Sequence, residues 1–249
     1  MTALIPFTDP DRPTLHVVAI PGAGAGPVTY EPWRRLVPQT WRLSAACLPG
    51  RGPRFGEPFA TDIRAVAEEI AAEIPGDVPV LVFGHSMGAL VALEVAALVR
   101  PAGLVVAGCA PPASRRRAVY GATAEEDVAA AIRDVVASLN VPDPDLFEEL
   151  VALSTPVLLA DLALLEDYLP QATTVDCELV ALYGEEDDLE PESWCESTTG
   201  SAEVVLFAGG HFFIQHDAAD VVRELARRQQ PAVAAEGPLI AMTPDVPCD

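Results

Sequence analysis

The sequence predicts an α/β fold, in which a mostly parallel sheet is covered by helices on both faces. Short apolar runs rich in Val, Leu and Ala alternate along the chain with segments whose apolar residues recur every three or four positions. The first pattern is typical of strands buried on both faces, and the second is typical of amphipathic helices. With 249 residues, 50% of them hydrophobic, the chain is long enough to bury one such core and too apolar to be disordered.

The predicted elements follow one another in the order that a parallel sheet requires. The predicted strands are residues 15–20, 41–47 (the weakest pattern), 78–83, 103–107, 179–183 and 203–207. A first helix is predicted from residue 63, with Thr61 or Asp62 as its N-cap and with apolar residues recurring at helical spacing up to residue 74. A second helix is predicted over residues 86–100, because Pro101 cannot continue it.

The alternation breaks between residues 112 and 174, where three helix patterns follow one another. The first starts at a capping box formed by Thr123 and Glu126, and the second at another formed by Asp145 and Glu148. The third has a proline at its first position, in Thr155-Pro156. A helical insertion between two strands predicts a lid, and the alternative is a set of packing helices that do not move.

The domain boundaries follow from the same patterns. Residues 1–230 are predicted to form a single domain that includes the insertion. Residues 231–249 contain four prolines and no strong periodicity, so they are predicted to be a poorly ordered tail.

The charge balance excludes several classes of function. Asp and Glu number 37 against 15 basic residues, all of them Arg, for a net charge of −22. Nucleic-acid binding is therefore not expected, nor is a catalytic lysine. No apolar run is long enough for a membrane span, and the first residues do not resemble a signal peptide. We expect a cytoplasmic monomer.

The cysteines do not suggest a structural role. The chain has 5 of them, widely spaced and without a CxxC pair. We expect free thiols rather than disulfides or a structural zinc site, and no metal site is predicted.

A candidate nucleophile follows the predicted strand at 78–83. Gly84-His85-Ser86-Met87-Gly88 matches the pattern G-x-S-x-G. In this pattern the serine lies on a sharp turn from a strand into a helix, and the two glycines leave room for the turn. The turn exposes the hydroxyl, which needs a base and a carboxylate that orients the base. Ser86 is therefore the predicted nucleophile.

Of the four histidines, His211 is predicted to be the general base. It follows the strand at 203–207, and loops at the carboxyl ends of parallel strands are where α/β proteins build their sites. His16 lies inside the first predicted strand, His85 is adjacent to the nucleophile, and His216 lies on the final helix pattern. We interpret these three as structural or solvated residues.

The orienting carboxylate is predicted in the loop that follows the strand at 179–183. This loop carries Glu185, Glu186, Asp187 and Asp188 and precedes the histidine strand, which fits the chain order Ser, Asp, His. We favour Asp187 as the partner of His211 and keep Asp188 as the alternative. A run of acidic residues is otherwise typical of a solvated surface.

Two backbone N–H groups are needed to stabilise the negative charge that develops during acyl transfer. One is predicted to be that of Met87, directly after the nucleophile. The other is predicted in the glycine-rich segment 21–26 after the first strand, where we favour Ala23. The segment matches neither G-x-x-x-x-G-K-[ST] nor G-x-G-x-x-G, so nucleotide binding is not expected.

Three segments together point to a family. The most specific is PGRGPRFGEP at residues 49–58, which matches the pattern P-G-R-G-x-R-x-x-E-P. The other two are GHSMGA at residues 84–89 and GGHFF at residues 209–213. These segments resemble the stand-alone type II thioesterases that accompany polyketide and nonribosomal peptide synthases. The resemblance extends over about residues 14–228.

The resemblance implies an α/β-hydrolase fold with a helical lid. It implies hydrolysis of acyl groups stalled on the phosphopantetheine arm of a carrier protein, with no cofactor of the enzyme's own. Ser86, Asp187 and His211 then form the catalytic triad, and the backbones of Ala23 and Met87 form the oxyanion hole.

The chain departs from the family pattern in two places. The family's loop reads P-H-A-G-G. In this chain Gly22 replaces the histidine of that pattern and Ala25 replaces its second glycine. In the lid, Leu159 stands where the family often has an arginine before Ala-Asp. Asp161 is therefore expected to lack its nearest partner.

The carrier, an acyl or peptidyl carrier protein, is expected to be a separate chain, because no carrier serine motif is evident. Carriers are generally acidic, so docking onto a chain of charge −22 requires a basic patch. The candidates are Arg51, Arg54, Arg115, Arg116 and Arg117, which are otherwise interpreted as solvated or salt-bridged surface residues.

Other functions stay open at this point. One is a carrier-independent esterase or lipase, since a lid over an apolar pocket also fits such an enzyme. Another is an enzyme that releases a full-length product. The last is a binding protein with a vestigial site.

Overall fold

The computed structural model describes residues 2–112, 128, 132–133, 142–168, 173–187, 189 and 194–229. The strands in these ranges are Leu4–Thr8 (β1), Leu15–Ile20 (β2), Trp41–Ala46 (β3), Val80–His85 (β4), Gly103–Ala107 (β5), Glu178–Gly184 (β6) and Ala202–Phe207 (β7). They form one sheet in the order β1-β3-β2-β4-β5-β6-β7. All neighbours are parallel except β1, which runs antiparallel to β3, so the predicted mostly parallel sheet is confirmed.

The strand β1 is the one that the sequence analysis did not predict. It contains Pro6, which cannot donate a backbone hydrogen bond and is therefore tolerated only at an edge or a bulge. β1 lies at the edge of the sheet, and its register shifts between Pro6 and Thr8. The Thr8 hydroxyl donates to the carbonyl of Trp41 at 2.8 Å and accepts from the N–H of Leu43 at 2.9 Å. Pairing with β3 therefore makes this segment a strand, which its own pattern does not reveal.

The described helices include both of those predicted around β4. The helices are Ile63–Ala72 (α1), Met87–Val99 (α2), Pro144–Asp167 (α3), Phe213–His216 (α4) and Ala218–Arg228 (α5). The N-cap of α1 is Asp62, whose carboxylate accepts from the N–H of Arg64 at 2.7 Å. α2 ends at Val99, and its C-cap Arg100 has a left-handed backbone directly before Pro101.

The core lies in two layers, one on each face of the sheet. Alternate residues of β2 point to opposite faces, as the two-residue period of a strand requires. Val18 and Ile20 pack in the cluster that includes α1, α2 and part of α3. Val17 and Ala19 pack in the cluster that includes α5 and the 3-10 helix Pro27–Arg35. Both faces are therefore covered, as predicted.

The insertion between β5 and β6 differs from the prediction. Two of its predicted helices form the single helix α3, so the predicted helix start at Thr155-Pro156 is wrong. The N-cap is Asp143, whose carboxylate accepts from the N–H groups of two residues in the first turn, and Pro144 follows it. Inside the helix, the hydroxyl of Thr155 donates to the carbonyl of Val151 at 2.8 Å, one turn earlier. Pro156 removes one backbone donor, yet the helix continues through it to Asp167.

Parts of the predicted insertion and the tail lie outside the described residues. Of the helix predicted after Thr123, Val128 and Ile132 are helical and buried. The prediction for residues 231–249 lies outside the described ranges. None of the described helices is long and apolar enough to cross a membrane.

His16, the second residue of β2, is a buried histidine that should make stability depend on pH. Its Nε2 lies 3.0 Å from Oγ of Ser44, and burial lowers its pKa to about 4. An unfolded chain binds this proton near the ordinary pKa of about 6.5, so the fold loses stability as the pH falls from about 6.5 to about 4. We predict that His16→Gln reduces the loss of unfolding free energy between pH 7 and pH 4 by about 2 to 3 kcal/mol.

Urea unfolding at both pH values measures this difference. The other groups titrate alike in the two proteins, so wild type serves as the reference for the variant. Equal losses in the two proteins would show that His16 titrates in the folded chain as it does in the unfolded one.

Candidate active site

Ser86 lies on a strained turn between β4 and α2. Its φ of 53° and ψ of −122° are rarely adopted by a residue with a side chain. The turn needs both flanking glycines, because a Cβ on Gly84 would lie 2.1 Å from the carbonyl oxygen of Gly88. A Cβ on Gly88 would lie 2.3 Å from the carbonyl oxygen of Ile20. Ser86 is only partly buried while its neighbours in the chain are buried, so the turn presents this residue to the surface as predicted.

His211 and Asp187 contact each other at the end of the sheet where Ser86 also lies. The Nδ1 of His211 lies 2.9 Å from Oδ2 of Asp187, whose side chain is only 5% exposed. Because an ionised carboxylate only accepts hydrogen bonds, Nδ1 carries the proton and Nε2 presents a lone pair. The structure thus brings Asp187 to His211, whereas Glu185 and Glu186 of the same acidic run are exposed.

His85 connects the turn at Ser86 to the His211 loop. Its Nε2 lies 2.8 Å from the backbone carbonyl oxygen of His211, and the two ring centroids are 4.9 Å apart. Burial lowers the pKa of His85 to about 4, so the ring is neutral at neutral pH. A carbonyl only accepts, so the proton is on Nε2, and His85 donates to the His211 backbone. This contact agrees with the structural role predicted for His85. Since His85 directly precedes Ser86 in the chain, it also links the serine turn to His211.

Gly108 is a residue of this site that the sequence analysis missed. It follows β5 with a φ of 56°, and its N–H donates to the carbonyl of Leu182 at 2.9 Å. A Cβ at this position would lie 3.3 Å from Cε1 and Nδ1 of His211 and 3.3 Å from Nε2 of His85. A glycine therefore suits both the left-handed backbone and the close approach of the two rings. The only signal in the sequence was a glycine at the end of a predicted strand.

The glycine-rich segment after β2 lies against the turn at Ser86. A Cβ on Gly22 would lie 3.2 Å from Cβ of Ser86. The N–H of Ala25 donates to the carbonyl of Gly22 at 3.1 Å, and that of Gly24 donates to Oδ2 of Asp161 at 2.8 Å. The N–H of Ala23, the predicted donor, has no acceptor among the residues that the structure describes.

The docking role predicted for Arg51 and Arg54 needs correction. Both side chains are buried and engaged in ion pairs within the chain. Arg51 pairs with Asp161 at 2.6 Å, and Arg54 pairs with Glu57 at 2.6 Å and with Glu69 at 2.8 Å. Neither guanidinium is therefore available to an acidic partner. Asp161 in turn has a partner after all, supplied by the segment at 49–58 rather than by its own helix.

The remaining predicted site residues lie outside the described ranges. They are Arg115, Arg116, Arg117 and Asp188. The docking role of the three arginines and the alternative carboxylate stay predictions.

The sheet order, the strand–turn–helix at Ser86 and the His211–Asp187 pair define a protein of the α/β-hydrolase class. The chain belongs to the thioesterase domain family, whose model matches residues 15–229. It is 30% identical over 230 residues to thioesterase TesA of Mycobacterium leprae. The aligned region covers 86% of this chain and 85% of TesA.

Two solved structures are similar over most of the chain. One is the RedJ thioesterase from the prodiginine biosynthetic pathway in Streptomyces coelicolor, at 28% identity and a TM-score of 0.74, covering 88% of each chain. The other is YbtT, a type II thioesterase from the yersiniabactin NRPS/PKS pathway, at 25% identity and a TM-score of 0.69, covering 91% of this chain and 97% of that one. The similarities confirm the resemblance to type II thioesterases.

Proposed function

We propose that this protein hydrolyses acyl thioesters held on the phosphopantetheine arm of a carrier protein in a polyketide or nonribosomal peptide pathway. The observation that carries the proposal is the strained, partly exposed Ser86 at the same end of the parallel strands as the His211–Asp187 pair, in a chain of the thioesterase family. The likeness to YbtT and RedJ supports the class of substrate. The role that we propose is the removal of stalled or aberrant acyl groups.

In the proposed reaction, Ser86 is the nucleophile and His211 is the general base. Nε2 of His211 takes the hydroxyl proton as Oγ of Ser86 attacks the thioester carbonyl carbon. The C–S bond then breaks, and the thiol of the phosphopantetheine arm leaves with the proton from His211. His211 next takes a proton from water, which attacks the acyl group on Ser86, and Oγ recovers its proton as the acid is released.

The remaining groups of the site stabilise charges that arise during these steps. The Asp187 carboxylate accepts from Nδ1–H of His211 and so stabilises the imidazolium that forms when Nε2 is protonated. The backbone N–H groups of Ala23 and Met87 are the proposed donors to the oxyanion of the tetrahedral intermediate. The phosphopantetheine belongs to the partner, an acyl or peptidyl carrier protein, and no cofactor of the chain's own enters the scheme.

Mass spectrometry of an acyl-loaded carrier protein tests the proposal. Wild type is expected to remove the acyl mass and leave the free thiol of the arm. We predict that kcat/KM for the carrier-bound thioester exceeds that for a matched small oxygen ester by about 10-fold or more. The reason is that contacts with the carrier add binding energy that stabilises the transition state. Ser86→Ala in the same assay is the control for hydrolysis by contaminants.

The assay separates the proposal from its alternatives. An intact acyl carrier together with rapid turnover of simple esters would contradict the proposal and identify a carrier-independent esterase. Activity only on the complete product of a synthase, with short acyl groups left in place, would identify a product-releasing enzyme. Failure of a serine-directed phosphonate to label wild type would indicate a vestigial site.

A further inference from the structure

We propose that Arg51 and Asp161 are positioning residues that hold the oxyanion loop, residues 22–26, in the shape that presents the Ala23 N–H to the reacting carbonyl. The inference rests on the proposed function, because it takes Ala23 as a donor in the reaction of Ser86. It assigns to the two charged side chains an effect on the rate of the chemical step rather than on binding of the substrate or carrier.

The first observation is the geometry of the ion pair. Nη1 of Arg51 lies 2.6 Å from Oδ2 of Asp161, and Nη2 lies 2.6 Å from Oδ1. The side chains are 8% and 3% exposed. A two-point contact between a guanidinium and a carboxylate fixes the direction of both groups, and burial keeps water from replacing either contact.

The second observation is that both partners also bind the backbone of the oxyanion loop. Oδ2 of Asp161 accepts from the N–H of Gly24 at 2.8 Å. Nη1 of Arg51 donates to the carbonyl of Ala25 at 2.9 Å. The pair therefore holds the two residues that follow Ala23, one through its N–H and the other through its carbonyl.

The third observation is that the loop lies between the nucleophile and α3. On one side, Gly22 approaches Ser86 so closely that a Cβ would lie 3.2 Å from the serine Cβ. On the other side, Gly24, with a φ of 74°, faces Leu158, and a Cβ there would lie 3.2 Å from Cδ1 of that leucine. Leu158 precedes Asp161 by about one turn of α3, so both lie on the same face of the helix.

These contacts explain why the N–H of Ala23 stays available. The loop has no other support from a charged side chain among the described residues, and the N–H of Gly24 is already occupied by Asp161. Without the carboxylate, the Gly24 N–H is free to turn toward another acceptor, which rotates the peptide plane next to Ala23. A donor acts on an oxyanion only when it is aimed at the place where the charge develops, so a small rotation lowers the rate.

The ion pair ties the insertion between β5 and β6 to the oxyanion loop. Asp161 belongs to α3, whereas its partner lies in the segment at 49–58 and its second contact lies after β2. The part of α3 around Asp161 thus helps to position the oxyanion loop. A displacement of α3 away from the sheet breaks the contact that positions the donor.

Two variants test the proposal. Asp161→Asn keeps a carbonyl oxygen for the Gly24 N–H but loses the charge opposite Arg51. The double variant R51M/D161L removes the acceptor and both charges together, so that no charge is left uncompensated in the interior. Steady-state kinetics on a small acyl thioester give kcat and KM, and labelling to completion with a fluorophosphonate counts the enzyme molecules with a reactive Ser86.

The control is Arg42→Met. Arg42 also makes a two-point contact with a carboxylate, that of Asp77, at 2.9 and 3.0 Å. It lies at the start of β3, the end of the parallel strands opposite to the site. This variant is expected to change stability and to leave kcat per labelled serine within about twofold.

For the double variant we expect kcat per labelled serine to fall about 10- to 100-fold with KM within about threefold, and for Asp161→Asn a smaller fall. The affinity for a trifluoromethyl ketone, whose adduct with Ser86 carries an oxyanion, should fall by the same factor as kcat/KM. A raised KM with unchanged kcat would overturn the proposal in favour of substrate binding. A lowered melting temperature with unchanged kcat per labelled serine would leave the pair a structural contact only.

Failure of this proposal is distinguishable from failure of the proposed function. The small thioester requires no carrier, so the comparison holds whatever the carrier assay shows. If hydrolysis of the small thioester by wild type did not depend on Ser86, both proposals would fall together, and the Ser86→Ala control reveals that case.

Discussion

Replacing Ser86 with alanine is expected to lower kcat on a carrier-bound acyl thioester by a factor on the order of 10^6. Oγ of Ser86 is the atom that attacks in the proposed reaction, and without it no acyl-enzyme can form. The backbone of the turn keeps its φ of 53° in either residue, because the flanking glycines and not the side chain make room for it. The melting temperature should therefore change little, and release of the carrier thiol measures the rate.

Ser44→Ala is the matched control, since Ser44 is a serine whose hydroxyl contacts a histidine away from the site. Its Oγ lies 3.0 Å from Nε2 of His16, but both residues are buried within the sheet. We expect this variant to keep kcat within about twofold and to lose about 1 to 3 kcal/mol of stability, because the buried Nε2 of His16 loses its partner. Retention of more than about a tenth of the activity by Ser86→Ala would show that Ser86 is not the nucleophile.

Asp187→Asn should produce the second large effect, a fall in kcat of about 10^4 with little change in KM. An amide can donate to Nδ1 and so favours the tautomer in which Nε2 carries the proton and cannot act as a base. The imidazolium that forms during the reaction also loses its counter-charge. Because the Asp187 side chain is only 5% exposed, water does not replace the carboxylate.

Asp188→Asn is the control for Asp187, and it decides between the two carboxylates that the sequence left open. A loss of less than about twofold is expected, since Asp187 already occupies Nδ1 of His211 at 2.9 Å. Steady-state kinetics of the two variants, side by side on one thioester, make the comparison. A larger loss in Asp188→Asn than in Asp187→Asn would reverse the assignment.

Much of the fold was predictable because its signals are local. The predicted strands at 15–20 and 103–107 have the observed bounds, since an apolar run in a parallel sheet is buried on both faces and needs no partner to be recognised. The turn at Ser86 was predictable because its two glycines are close in the sequence to the residue that they serve. β1 was not predictable, since its Pro6 is tolerated only at the edge position where β1 pairs with β3. The length of α3 was not predictable either, since Pro156 lies inside a continuous helix instead of starting a new one.

The sequence by itself determined the α/β class, the thioesterase resemblance and the choice of Ser86, His211 and Asp187 as candidates. Each of these follows from residue types within a few positions of a strand end, where the backbone dictates what lies close. Tertiary structure alone revealed the contacts of Arg51, Asp161 and Gly108.

Arg51 and Asp161 lie 110 positions apart, and no spacing along the chain reveals that the fold brings them together. An arginine in a turn is most often a solvated residue, which is how the sequence led to a docking role for Arg51. Burial reverses that interpretation, because a charge removed from water requires a partner of opposite charge, and only the packed chain shows which residue supplies it.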